Sequence, residues 1–155
     1  MLPVTASRLA TQHFLDGMPA GQLDALARTA SEVVLPAGQR LFAEGGYAAK
    51  FWLIESGCVV LDVSVPGNGR TVVGRVGLGG LVGWSWLLPP YHWAFGAVCA
   101  TEVRAFEFDA TAVRECCAAD PSLSDELTRR LLPVVAGRLQ DTRSRLLVRQ
   151  EGTET

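Results

Sequence analysis

Residues 35–63 decide the fold. They read Leu35-Pro36-Ala37-Gly38-Gln39-Arg40-Leu41-Phe42-Ala43-Glu44-Gly45-Gly46, then four residues, then Phe51-Trp52-Leu53-Ile54-Glu55-Ser56-Gly57-Cys58-Val59-Val60-Leu61-Asp62-Val63. Short runs of β-branched and aromatic residues are cut by Pro-x-Gly, Glu-Gly-Gly and Ser-Gly turns. The texture extends outward from here. Strand-like runs cover 31–35, 40–43, 50–55, 58–65, 70–76, 93–101 and 103–109, with Pro66-Gly67-Asn68-Gly69 as a hairpin turn. Strands of this length and spacing make a sandwich or barrel. Upstream, Phe14, Leu15, Leu23, Leu26, Ala27 and Ala30 recur at helical spacing over 5–30, with Gly17 and Pro19 dividing two short helices. Downstream, 111–118 reads as a short helix. Asp120-Pro121 then caps a long helix to about Gln150, which Pro133 should kink. The expected fold is mainly β, a double-stranded β-helix (jelly roll) barrel. The whole of 1–155 is expected to be one domain: N-terminal helices in 1–30, the barrel in 31–109 and C-terminal helices in 110–150.

Composition narrows the function. Hydrophobic residues make up 48% and charged residues 19% of the 155, so the chain collapses rather than staying disordered. Lys+Arg 14 against Asp+Glu 16 gives a net charge of −2, which argues against a nucleic-acid binder. Lys50 is the only lysine. Residues 76–101 carry no Asp, Glu, Lys or Arg, a length that could suggest a membrane span. Five glycines and Pro89-Pro90 break any helix there, so a buried soluble core and a cytoplasmic location are expected. Cys58, Cys99, Cys116 and Cys117 share no metal-ligand spacing and read as buried free thiols. No Ser-His-Asp, paired-carboxylate or phosphate-loop pattern is visible, so no enzyme is expected. A metal-binding cupin, which shares the architecture, needs several histidines, and only His13 and His92 exist.

The order of these features closely resembles the cyclic nucleotide-binding domain of the catabolite-activator/Fnr superfamily, over roughly 14–149. The most specific parts are Pro36-x-Gly38, Leu41-Phe42-x-Glu44-Gly45, Leu53-Ile54-x-x-Gly57 and Gly77-x-Gly79-x-x-x-Gly83. The resemblance implies a regulatory module that binds a cyclic nucleotide in the barrel and moves its terminal helix. It also implies a phosphate-binding cassette after the Gly-x-Gly strand end, whose small helix aims backbone N–H groups at the cyclic phosphate. A Glu after the last glycine would hold the ribose, and an Arg at the start of the next strand would pair the phosphate.

The cassette of this chain departs from that pattern. It includes Gly79, Gly80, Leu81, Val82, Gly83, Trp84, Ser85, Trp86, Tyr91, His92 and Trp93. Trp84 takes the Glu position. Counting back from Glu102 puts Tyr91 at the Arg position, and counting forward from Gly83 puts Ala94 there. No Arg or Lys lies between Arg75 and Arg104. Arg75, at the end of the preceding strand, is either an anion partner that swings in or, the better reading, a solvated strand-end residue. A charge-assisted hydrogen bond is worth ~1.5–3 kcal/mol, so losing both partners costs on the order of two to four decades in affinity. Weak or absent binding of cyclic AMP and cyclic GMP is therefore expected. Trp84, Trp86, Tyr91, Trp93 and Phe95 replace the charged pair. Either the indoles fill the old pocket, or they line a site for another flat or apolar ligand. Haem through His92 or Cys99 is not the expected cofactor, and no metal is expected.

The family pairs its terminal helix with a twin. Here Leu132, Leu139 and Leu146 repeat every seven residues, with Thr142 at the intervening seam position, and a homodimer is expected. Arg138, Arg143, Arg145 and Arg149 read as a solvated face. The chain ends a few residues past this helix, so no helix-turn-helix, no direct nucleic-acid contact and no membrane contact are expected. The alternative to a ligand sensor is a ligand-free dimerisation or docking module that regulates a partner protein.

Overall fold

The computed structural model describes residues 3–86 and 89–154, with side chains as far as residue 138. Helices α1 (Ala6–Leu9) and α2 (Ala20–Ala27) flank a short 3-10 turn at His13–Leu15. Thr5 caps α1 by accepting from the Arg8 amide. Eight strands follow: β1 (Ala30–Leu35), β2 (Arg40–Phe42), β3 (Lys50–Ser56), β4 (Val59–Val65), β5 (Gly69–Val76), β6 (Leu81–Val82), β7 (Gly96–Cys99) and β8 (Val103–Asp109). Helices α3 (Ala110–Ala119) and α4 (Pro121–Glu154) end the chain.

The strands form two four-stranded sheets, ordered β1-β8-β3-β6 and β2-β7-β4-β5, with antiparallel pairing throughout. This is the jelly roll that the turn pattern predicts. Pairing fixes which side chains face which way, because neighbours along a strand alternate. Phe51 pairs with Phe108 and Leu53 with Phe106, and the Phe51 and Phe108 rings stack at 4.6 Å. The Arg8 guanidinium of α1 lies over Phe106, so this face of the first sheet carries the helices. Trp52 and Ile54 point the other way, between the sheets, where Trp52 meets Phe42 of β2 at 5.7 Å.

The structure differs from the sequence reading in the extent of one strand, in one further strand and in the burial of three cysteines. The run at 93–101 is strand only over Gly96–Cys99, and Tyr91 shortly before it adopts φ 59. The short strand β6 went unread; two residues carry no periodicity. Cys99 is buried, but Cys58, Cys116 and Cys117 are only half-buried; all four are free thiols. Helix α4 is continuous through Pro133. Among the described residues no helix is long and apolar enough to cross a membrane.

Gly57 shows why the Leu-Ile-x-x-Gly motif ends in glycine. It has φ 94, and a Cβ there would sit 2.2 Å from the Glu102 carbonyl oxygen. Only glycine lets the turn between β3 and β4 pass so close to the start of β8.

Candidate functional site

The cassette begins on β3. The Gly79 amide donates to the Ile54 carbonyl at 2.8 Å, and the Ile54 amide donates to the Gly80 carbonyl at 3.0 Å. Leu81 and Val82 then pair with Leu53 and Trp52. Gly83, at φ 92, turns the chain away. The residues described after it, 84–86 and 89–92, form turns and an isolated bridge between Tyr47 and His92.

Trp86 anchors this segment. It is fully buried, its Nε1 donates to the Gly83 carbonyl at 3.2 Å, and its indole stacks on Phe51 at 4.3 Å. Its place is thus the helix-covered face of the first sheet, continuing the column Phe51–Phe108. From α3, Arg114 ties the two ends of the cassette together. It donates to the Trp86 carbonyl at 2.8 Å and to the Tyr47 hydroxyl at 2.9 Å, and its guanidinium lies 4.4 Å above the Tyr91 ring. Arg114 was not read from the sequence, since nothing local relates α3 to a loop so distant along the chain.

Trp93 occupies the pocket itself. Its ring atoms lie 2.8–2.9 Å from where a Cβ on Gly83 would be. It stacks on Phe42 at 3.7 Å with an interplanar angle of 13°. Two backbone bonds, Trp93 N to Gly46 O at 2.8 Å and Gly45 N to Trp93 O at 2.9 Å, pin it to the Glu44-Gly45-Gly46 turn. Trp84 is half-buried and meets Phe95 edge-on at 6.2 Å. The cavity left among Phe42, Leu61, Trp84, Ser85 and Trp93 measures about 10 Å³. That is room for about one water, where ligand pockets run from roughly 300 Å³ upward.

The other sequence candidates separate. Ala94 borders this cavity and Tyr91 does not. His92 is exposed beside Tyr47. Arg75 is exposed on β5, paired opposite Val60, and does not border the cavity. The cation that does border it is Arg138 of α4, which donates to the Leu81 carbonyl. Counting along α4 would have found it. Leu127, Leu131, Val134 and Arg138 are spaced by four, three and four residues, which is one helix face, and the two leucines are buried. Arg138 thus belongs to the barrel-facing stripe rather than to a solvated basic face. Leu132, off that stripe, is 62% exposed, whereas the side chains of Leu139, Thr142 and Leu146 lie outside the described residues. Among the described residues no cluster of three or more His, Cys, Asp or Glu could hold a metal ion.

The sequence profile of the cyclic nucleotide-binding domain matches residues 32–120. The chain belongs to the cyclic nucleotide-binding domain family. This domain is 29% identical over 138 residues to a CRP-like cAMP-activated global transcriptional regulator of Mycobacterium tuberculosis, covering 89% of this chain and 60% of that protein. It thus spans less than two thirds of the curated relatives it matches. Among solved structures it is similar to a putative cyclic nucleotide-binding protein from Geobacter metallireducens. The TM-score is 0.79 at 26% identity, over 88% of this chain and 98% of that one. The fold, though not a function, is shared with the regulatory subunit of a cAMP-independent protein kinase A from Trypanosoma brucei. There the TM-score is 0.66 at 20% identity, over 79% of this chain and 44% of the other. The domain is a regulatory module of this family.

Proposed function

We propose that this regulatory domain has lost tight recognition of cyclic AMP and cyclic GMP and answers to a different ligand or partner. The observation that carries this is the occupied cassette: Trp93 lies against Gly83 and leaves about 10 Å³ where the ring and ribose of a nucleotide would go. In our reading Trp84 takes the place of the ribose carboxylate, and Ala94, which borders the cavity, takes that of the phosphate arginine. Opening the pocket would unstack Trp93 from Phe42, which adds to the missing polar contacts. A homodimer through α4 fits the same regulatory reading, since Leu132 is an exposed leucine on a face that the barrel does not cover.

Calorimetry tests the ligand statement. No saturable heat is expected from cyclic AMP or cyclic GMP at up to about 100 μM, given the two to four decades of affinity removed. The triple change Trp84→Glu, Ala94→Arg and Trp93→Ala should restore part of the binding. Submicromolar binding by the unaltered protein would overturn the proposal.

A further inference from the structure

The Trp93–Phe42 stack is a partition with a cavity on each side. One is the filled cassette. The other opens between the β1 edge of the first sheet and the β2 edge of the second, and measures about 320 Å³. Leu35, Leu41, Phe42, Trp52 and Trp93 give it apolar walls, and Lys50 and Glu107 stand among its lining. We propose that this inter-sheet cavity binds a small planar aromatic acid, one or two rings bearing a carboxylate.

Size is the first argument. The volume falls within the range of ligand pockets. Shape is the second. Phe42 and Trp93 are near parallel at 13°, and Trp52 lies at 19° to Phe42 and 31° to Trp93, so the cavity is bordered by a stacked aromatic group. A flat ring extends such an arrangement in offset contact. Charge is the third, and it selects the head group. Glu107 is already engaged at both oxygens: Oε1 accepts from Lys50 Nζ at 2.9 Å and Oε2 from Trp52 Nε1 at 3.0 Å. Each oxygen keeps one further acceptor site, so the choice of head group rests on Lys50. The Lys50 ammonium carries three donors and uses one of them on Glu107, while its side chain is 54% exposed. The chain's single lysine is thus held by Glu107 at the mouth of an aromatic cavity, with donors to spare for a carboxylate.

The inference is independent of the loss of cyclic-nucleotide recognition, so either can fail alone. The test follows the four indole N–H signals by NMR during titration with benzoate and indole-3-carboxylate, with benzamide and indole as neutral controls. Saturable shifts at Trp52 and Trp93, larger than at Trp84 and Trp86, are expected. Lys50→Met should weaken both acids about tenfold or more and leave indole unchanged. Leu41→Trp, which fills the cavity, should abolish binding of all the probes, with the backbone spectrum confirming that the variant is folded. Absence of saturable shifts at Trp52 at millimolar probe overturns the proposal. So does binding centred on Trp84 and Trp86, or acid affinity that ignores Lys50→Met.

Discussion

A methyl group at Gly57 meets the Glu102 carbonyl oxygen at 2.2 Å and a backbone held at φ 94. At Gly83 it meets the Trp93 indole at 2.8 Å with φ 92. At Gly79 the backbone is also left-handed, φ 79, but nothing lies within 4 Å. The three sites separate conformational strain from collision. Gly79→Ala should cost about 1 kcal/mol, the penalty for a left-handed alanine alone. Gly57→Ala should cost about 2–4 kcal/mol, because rigid backbone cannot yield. Gly83→Ala should fall between them, since the Trp93 side chain can tilt, and it should also perturb Trp93 fluorescence. Urea denaturation of the three variants checks the order. The glycines of the motif were legible in the sequence. Which of them guard a collision was not, because Glu102 and Trp93 are brought close only by the fold.

At the level of elements, α1 docks on the first sheet beside a carboxylate pair. Glu32 of β1 bonds Arg8 of α1, and Glu55 of β3 lies close by, with Arg104 of β8 between the two strands. Burial raises the pKa of Glu55 above the ordinary 4.5, and the hydrogen bond to Glu32 and the charge of Glu32 push it further. Glu32 is lowered, first by the bond from Glu55, then by Arg8 and Arg104. Glu55 Oε2 is buried with no donor facing it, which adds to the cost of ionising this carboxyl. The raised group gives stability that is present below 4.5 and is lost as pH rises through its folded pKa. The lowered group gives stability that is present above 4.5 and is lost as pH falls through its folded pKa. Glu55→Gln keeps a donor toward Glu32 and removes the loss on the alkaline side. The variant should therefore gain stability over the unaltered protein as pH rises from about 4 to 7, read as the unfolding midpoint against pH. The strands that carry this pair were legible from β-branched runs and turns. Their pairing across β8 was not, because sheet order is a non-local choice.

For the whole molecule, α4 is the element with two distinct faces. Its Leu127-Leu131-Val134-Arg138 stripe faces the barrel and closes the cassette, and Leu132 faces away. If that outer face pairs with a second copy, replacing Leu132, Leu139 and Leu146 by Glu should yield a folded monomer with its β-core intact. Sedimentation equilibrium checks this, and an unaltered protein already monomeric at high micromolar concentration contradicts the dimer. The sequence by itself determined the jelly roll, its helical ends and the absence of the charged pair from the cassette. These rest on local properties: turn glycines, alternating apolar residues, and the identity of side chains at motif positions. Only the tertiary structure decided that Trp93 closes the pocket, that Ala94 rather than Tyr91 borders it, and that Arg138 and Arg114 brace it from two helices. It also revealed the cavity on the far side of Phe42. Each of these depends on which residues meet across the gap between the two sheets or where the helices dock on them. That is set by packing among residues far apart in the chain, and no local pattern of side chains encodes it.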